Sequence, residues 1–328
     1  MFAARLTCSW IGTLILTSGA FCQTYVGISP VPGYDTYPYS INEAGVVAGS
    51  YSNQDGIGPF RGFVRDALGT ITTFAAPGIS TDAHSINVAG AIAGSYVGGS
   101  PYGTHGFVRD PAGNFTSFDA DPGIPGIRVT YARSINAGGA VTGYYPSSQY
   151  SSVYHGFLRD ANGTITSFDP PGSKSTTALG INDVGAITGY YQRANGSVHG
   201  FVRHPTGHIT SFDPPGSTGT YPAGINYSGA ITGYYKTADG LSHGFVRDAA
   251  GTITSFDGVA TSINNLGAIV GVGFLRSPDG TITSLMAPAC GPPIVHSPSV
   301  ATSINDAGVI AGYCGGAPII VNGWLRLP

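Results

Sequence analysis

Four histidines, His105, His155, His199 and His243, recur along this chain, each followed by Gly-Phe. Imidazole is the commonest metal ligand and a general acid or base, so a regular set first suggests a metal centre. The regularity itself argues otherwise. Each histidine opens the same strand of a different repeat unit, away from any common axis, so the four cannot meet on one ion. A side-chain hydrogen bond repeated inside each unit accounts for them better, and no metal site and no cofactor is expected.

Chemistry is more plausible where the repeat is broken. One segment carries Asp82 and His84 where other units have small or neutral residues. The next, the longest of its kind, carries Asp121, Arg128, Tyr131 and Arg133, and the first has Tyr34, Asp35, Tyr37 and Tyr39. Tyrosines at a rim offer a flat apolar face and a polar hydroxyl, which suits sugars. The candidate ligand-binding set is therefore Tyr37, Tyr39, Asp82, His84, Asp121, Arg128, Tyr131 and Arg133. No residue is assigned a catalytic role. Glycoside cleavage would need two carboxylates, or a carboxylate and a histidine, at catalytic separation, and Asp82, His84 and Asp121 are the only group to nominate.

The elements that must position these residues follow from a pattern found seven times, Ile-Asn-x-x-Gly-(Ala/Val)-(Ile/Val), starting at Ile41, Ile86, Ile135, Ile181, Ile225, Ile263 and Ile304. Its spacing is that of one four-stranded propeller blade. The fifth repeat shows the parts: a strand ending at Ile225, then Ile231–Tyr235, His243–Asp257 split by a turn, and two tight Asx-x-x-Gly turns, Asn226 to Gly229 and Asp248 to Gly251. The Asx oxygen suits the first position of a type I turn. The two variable connections, one between the second and third strands and one leading into the next repeat, share one face. Variable loops on a rigid scaffold are where function concentrates.

The residue before each first-strand Ile is small: Ser40, Ser85, Ser134, Gly180, Gly224, Ser262 and Ser303. Small side chains let seven inner strands approach an axis. Tyrosine pairs end the second strand at Tyr144-Tyr145, Tyr190-Tyr191 and Tyr234-Tyr235. Alternation sends one ring of each pair to either side of the sheet, one to pack between blades and one toward the loop face. Third strands occur seven times and fourth strands only six, and residues 24–30, which include Tyr25-Val-Gly-Ile28, are expected to supply the missing one. The expected fold is all-β: a closed seven-bladed β-propeller of four-stranded antiparallel blades over residues 23–328, its last blade completed by the N-terminal strand.

The blocks His-Gly-Phe-(Val/Leu)-Arg, Gly-Thr-Ile-Thr-Ser-Phe-Asp-Pro-Pro-Gly and Gly-Ile-Asn-x-x-Gly-Ala-Ile-x-Gly-Tyr-Tyr resemble the HAF repeat family across essentially residues 24–328. The family's His-Ala-Phe reads His-Gly-Phe at 105–107, 155–157, 199–201 and 243–245. Arg61, Val272 and Asn322 replace the histidine elsewhere. The resemblance implies export and a bacterial source. It supplies no activity and no catalytic residues.

Composition narrows the function classes. Only 9% of residues are charged, against roughly 25% in an average globular protein. The net charge is −3, and Lys174 and Lys236 are the only lysines, so nucleic acid is not an expected partner. Residues 1–22 read as a cleaved signal peptide: Arg5, an apolar run from Trp10 to Leu16, and small residues ending at Cys22. The apolar run is short for a membrane span. Cys22 as a lipidated residue is the alternative to cleavage after it. Cys290 and Cys314 remain, and in an oxidising compartment they suit a disulfide. The expected role is a secreted or periplasmic binding module for a glycan or cell-surface polymer, with no membrane span in the mature chain. The alternatives are a polysaccharide hydrolase or lyase with its site at the axis mouth, and a scaffold docking a protein partner.

Overall fold

A computed structural model describes residues 23–53, 58–99, 102–120, 128–148, 151–287, 299–315 and 321–328. The expected signal segment 1–22, Asp121 and Cys290 lie outside the described residues.

The strands follow the repeat. After β1 (Tyr25–Ile28) come β2 (Asp35–Ile41), β3 (Val47–Ser52), β4 (Arg61–Arg65) and β5 (Ile71–Phe74). The second repeat is β6 (Ser80–Ile86), β7 (Ile92–Gly98), β8 (Gly103–Arg109) and β9 (Phe115–Phe118). The third is β10 (Tyr131–Ile135), β11 (Val141–Pro146), β12 (Tyr154–Arg159) and β13 (Ile165–Phe168). The fourth is β14 (Ser173–Ile181), β15 (Ile187–Arg193), β16 (Val198–Arg203) and β17 (Ile209–Phe212). The fifth is β18 (Gly219–Ile225), β19 (Ile231–Lys236), β20 (Ser242–Arg247) and β21 (Ile253–Asp257). The sixth is β22 (Ala260–Ile263), β23 (Ile269–Gly271), β24 (Phe274–Arg276) and β25 (Ile282–Ser284). The chain ends with β26 (Ser299–Ile304), β27 (Ile310–Cys314) and β28 (Asn322–Arg326). There is no helix among the described residues.

These strands make a β-propeller of four-stranded antiparallel blades. Five sheets stand alone, each of four strands. The remaining eight strands form one sheet, a departure from the expected set of free-standing blades. Its two antiparallel halves, β14–β17 and β18–β21, touch through a single parallel pair, Val198 with Gly219. The cause is local: β18 starts early enough to run beside the third strand of the preceding repeat. The same contact between the second and third repeats appears as an isolated parallel bridge, Thr104 with Val129. At the other end of the chain β1 pairs antiparallel with β28, Tyr25 opposite Arg326 and Ile28 opposite Gly323. The chain's two extremities thus share one sheet, which leaves no seam at the join.

Seven asparagines close the circle. Each turn asparagine accepts backbone N–H groups of its own turn: Asn42 Oδ1 takes Ala44 N at 3.1 Å and Val46 N at 3.0 Å. Its amide then donates to the backbone carbonyl of the equivalent asparagine in the next repeat. The bonds run Asn42 to Asn87 (3.0 Å), Asn87 to Asn136 (2.9 Å), Asn136 to Asn182 (3.1 Å) and Asn182 to Asn226 (2.9 Å). They continue Asn226 to Asn264 (3.1 Å), Asn264 to Asn305 (3.0 Å) and Asn305 back to Asn42 (3.2 Å). All seven asparagines are buried.

Between repeats the sheets pack through apolar side chains. Phe63, Phe107, Phe157, Phe201 and Phe245 of the third strands are fully buried, each stabilising the fold by about 1.5–3 kcal/mol. The glycine of His-Gly-Phe is needed because a fourth-strand ring lies over it: a Cβ on Gly200 would come within 2.9 Å of Phe212, and one on Gly156 within 2.8 Å of Phe168. The arginine that ends the third strand reaches the previous repeat. Arg109 lies over Phe74 at 4.8 Å, and Arg159, Arg203 and Arg247 lie over Phe118, Phe168 and Phe212, each at 5.1 Å. These cation–π contacts make the regularly spaced arginines part of the glue between sheets.

Asn182→Ala removes one link of the ring, leaves the Asn226 carbonyl with the Gly229 N–H alone, and takes away the buried acceptor of the Ala186 N–H. A loss of about 1–3 kcal/mol is expected, seen as a lower midpoint in thermal unfolding. An unchanged midpoint would show that the ring is incidental.

Candidate functional site

The inner strand of every repeat is broken by a β-bulge at one place. The register of β2 against β3 shifts between Pro38 and Ser40, that of β6 against β7 between Ala83 and Ser85, and that of β10 against β11 between Ala132 and Ser134. The same shift recurs in β14, β18, β22 and β26. The extra residue is Tyr39, His84 or Arg133 in the first three repeats, and Leu179, Ala223, Thr261 or Thr302 in the other four. All seven line one cavity of about 170 Å³ on the axis. A bulge re-aims a side chain, and here it aims seven of them inward. The second-strand glycine opposite is the counterpart of the bulge. A Cβ on Gly94 would run into the Asp82 carbonyl, and one on Gly143 into the Tyr131 carbonyl.

Three neighbouring bulge residues form a chain of contacts. The Tyr39 ring lies 5.2 Å from that of His84. Arg133 Nη1 lies 2.8 Å from His84 Nε2 and 3.5 Å from Nδ1, so the guanidinium rests against the imidazole. Asp82 Oδ2 is 3.0 Å from the same Nε2. Ser50 Oγ donates to Asp82 Oδ1 at 3.0 Å and accepts the Ala83 N–H at 2.9 Å, which ties the carboxylate to the bulge. Protein surrounds Asp82 on most sides, yet 39% of its side chain stays accessible from the mouth. Burial pushes its pKa up, but His84, Ser50 and Arg133 outweigh that, and it sits below its ordinary 3.8. Burial raises the pKa of Tyr39, and the Asp82 charge adds to the effect, so its phenol keeps its proton.

Half-buried rings flank this trio. Tyr37 stacks on Tyr39 at 6.2 Å and meets Tyr313 edge-on at 5.4 Å. On the other side Arg133 lies 5.8 Å from the Tyr144 ring, which contacts Tyr131 at 5.1 Å and Tyr154 at 5.2 Å. Tyr221 continues the belt between Tyr190 (5.3 Å) and Tyr234 (4.9 Å). Their partners in the tyrosine pairs point the other way. Tyr145, Tyr191 and Tyr235 are buried, with hydroxyls on Ser167, Ser211 and Ser255.

Six of the eight residues expected to bind ligand therefore gather around the axis: Tyr37, Tyr39, Asp82, His84, Tyr131 and Arg133. Arg128 does not. It pairs with Asp119 at 2.6 Å, and Asp119 also holds His105 Nδ1 at 2.7 Å at the start of β8, out along the sheet. Arg128 thus sits apart from the axial group, and Asp121 lies outside the described residues.

The histidines serve as braces. His155 and His199 bond Asp169 and Asp213 through Nδ1, each at 2.7 Å. Those aspartates also accept Thr176 and Thr220, so they do more than form turns. His199 Nε2 lies 2.8 Å from Ser197 Oγ, which gives Ser197, His199 and Asp213 the connectivity of a hydrolase triad. The same His–Asp bond in the second and third repeats lacks the serine, and Ser197 Oγ also bonds Asn195 Oδ1 at 2.8 Å. A blade brace explains all of them. Among the described residues no three His, Cys, Asp or Glu side chains cluster as a metal site.

The opposite mouth holds a cavity of about 150 Å³ at the turns. Its carboxylates are used as links: Glu43 accepts the Asp306 N–H at 2.9 Å, Asp306 the Asn265 N–H at 2.7 Å, and Asp183 the Ala137 N–H at 2.7 Å. Burial raises the Glu43 pKa, opposed by that N–H and reinforced by Asp306 and Asp183.

The fold has solved counterparts. A streptogramin B lyase superposes with a TM-score of 0.60 at 16% identity, over 95% of this chain and 100% of that one. A catalytically inactive variant of virginiamycin B lyase from Staphylococcus aureus, with quinupristin, gives 0.62 at 13% identity, over 93% and 100%. An acylaminoacyl peptidase from Pyrococcus horikoshii gives 0.55 at 9% identity, over 89% of this chain and 51% of that one. At such identities the likeness is one of fold. No family model and no curated protein matches the sequence.

Because the folded pKa of Asp82 is depressed, its charge stabilises the protein above the ordinary carboxylate pKa. That contribution is lost as pH falls through the lower folded value. Asp82→Asn should be destabilised at pH 7 by about 1 kcal/mol, a figure reduced for the water that reaches the site. Melting temperatures of the two proteins should converge as the pH is lowered below the ordinary carboxylate value of 3.8. A gap independent of pH would rule out the charge as its cause.

Proposed function

We propose that the chain is an exported seven-bladed propeller that binds a glycan or surface polymer, without turning it over, at the axial mouth carrying Tyr39, His84 and Arg133. Two observations favour counting the eight-stranded sheet as two blades: its halves meet through one residue pair, and the asparagine circle has seven members. The observation that carries the binding role is the set of seven equivalent bulge positions. Four hold small, aliphatic or backbone-bonded side chains, and three adjacent ones hold an aromatic, an imidazole and a guanidinium. Tyrosine rings on either side of this sector, half-exposed, match the flat apolar faces of pyranose rings.

Hydrolysis is the weaker reading. Among the described residues no carboxylate lines that cavity, and the nearby Asp82 carboxylate is engaged by Ser50 and His84. Protein docking would call for a contiguous exposed apolar patch, and Leu68, Ile79, Leu241 and Met286 sit on turns of different blades. Export follows the signal-like N-terminus and the resemblance to the HAF repeat family. It favours a Cys290–Cys314 bond, since Cys314 is fully buried at the end of β27.

Screening the mature protein on a glycan array, then incubating any hit to look for cleavage, tests the reading. Binding without products is expected, and Tyr144→Ala should weaken it about tenfold, in line with roughly 1–1.5 kcal/mol for an aromatic contact. A silent array, or cleavage of the bound glycan, would overturn it. Thiol titration of the secreted protein, denatured without reductant, should find Cys290 and Cys314 unreactive; two reactive thiols there would remove the disulfide.

A further inference from the structure

The charges at the mouth are arranged so that one proton decides its sign. The side chains with formal charge that line the axial cavity are Arg133 and His84; Asp82 stands behind them on β6. Arg133 has five N–H donors and no acceptor capacity. Its only hydrogen-bond contacts among the described residues are those of Nη1 with the His84 ring. The other donors of a half-buried guanidinium are left over, at the edge of a cavity otherwise walled by hydroxyls and aliphatic groups. A fork of unspent N–H groups matches a carboxylate, which accepts two parallel bonds.

His84 lies between opposite demands. On its own strand Asp82 accepts a hydrogen bond from Nε2 whenever that nitrogen carries a proton. From β10, Arg133 rests against the same ring, and from β2 the neutral Tyr39 phenol packs on it. Ser50 from β3 satisfies the other Asp82 oxygen, and Tyr37, Tyr313 and Tyr144 stand behind Tyr39 and Arg133 without charge. With a neutral imidazole protonated at Nδ1, the Nε2 lone pair accepts the Arg133 Nη1 hydrogen and the Asp82 and Arg133 charges cancel. With an imidazolium, Nε2 donates to Asp82 instead, Nη1 loses its acceptor, two cations are in contact and the trio carries a net charge of +1. Arg133 is then driven off the ring toward the lumen. A ligand anion there would relieve the repulsion. By linkage, whatever favours the imidazolium must tighten the anion, and the anion must favour the imidazolium.

We infer that the polymer recognised at this mouth is acidic, a uronate-type glycan whose carboxylate is gripped by Arg133, and that acid strengthens the grip through His84. The inference rests on the glycan reading above. Imidazole is the side chain whose charge changes across the mildly acidic range, while a uronate stays ionised there, so the ligand's own titration does not confuse the result.

The experiment compares oligogalacturonate with the same oligosaccharide fully methyl-esterified, by calorimetry on the mature protein at pH 5.5 and pH 8. The acid form is expected to bind about tenfold more tightly at pH 5.5 than at pH 8, and the ester weakly and equally at both. His84→Gln, which retains a donor for Asp82 but cannot titrate, should bind the acid form with a flat pH profile. Arg133→Gln should bind acid and ester alike. Thermal melts confirm that each variant is folded. Equal binding of acid and ester by the unaltered protein, or a pH dependence that survives in His84→Gln, overturns the acidic-ligand inference and leaves the glycan reading standing. Absence of binding to these uronates and to every neutral glycan on the array defeats both.

Discussion

One side chain, repeated, holds this molecule in a circle. The turn asparagine has an oxygen that organises its own hairpin and an amide that reaches the next repeat, so local and global structure are specified by the same group. Each link is an ordinary buried hydrogen bond. What makes the set demanding is closure: Asn305 must find Asn42, which it does at 3.2 Å across the whole chain. Burial makes a missing side chain costly, because the turn N–H that each asparagine oxygen accepts, such as that of Ala186 at 2.8 Å, is left without a partner. The distance between successive repeats is thereby held nearly constant, and everything nearer the loop face inherits that spacing.

The bulge depends on that spacing in turn. Seven inner strands converge on the axis, and Ser40, Ser85, Ser134 and Ser303 each accept a backbone N–H from the following repeat of the ring at 3.2–3.3 Å. With the strands this close, a regular alternation would leave no side chain pointing squarely inward above the serine layer. The extra residue solves this, and the second-strand glycine accommodates the displaced carbonyl. Thr261 and Thr302 then spend their hydroxyls on backbone carbonyls of neighbouring repeats. The chemically capable residues are Tyr39, His84 and Arg133 in the next three repeats around the ring.

Much of this was legible. The count of third and fourth strands implied that Tyr25–Ile28 would complete the final sheet, and β1 lies there because β28 otherwise has an open edge. The sector formed by Tyr39, Asp82, His84 and Arg133 was visible as a departure from the repeat, since identity at equivalent places makes an exception conspicuous. Other features were hidden by distance. The asparagines read as turn formers because that bond is four residues long, whereas the acceptor for the amide lies 38 to 49 residues away along the chain, or 263 for the closing link. The place of Arg128 was hidden for a similar reason. Its neighbours in sequence face the axis, but its partner Asp119 belongs to the end of β9, and an ion pair at 2.6 Å outweighs adjacency. A signal for the bulge was present: the residue before the small Ser or Gly varies among Tyr, His, Arg, Leu, Ala and Thr while its neighbours stay constant, as expected for a position aimed at empty space.

That variability also explains how a repeat becomes a site. A symmetric ring of seven identical groups would present the same chemistry in every direction and bind a ligand with no preferred orientation. Here the scaffold keeps the backbone symmetric, through the asparagine circle, the bulges and their glycines, and confines asymmetry to one side chain per blade. Tyr39 touches His84 and His84 touches Arg133, so adjacent positions in this sector couple. Three in succession are enough to build a polar cluster, and the hydroxyl and aliphatic positions across the lumen preserve the fit between blades. The low overall charge sharpens the result. On a chain with few ionic groups, Arg133 and His84 at the cavity and Asp82 behind them gather charge-bearing side chains in one sector of the mouth.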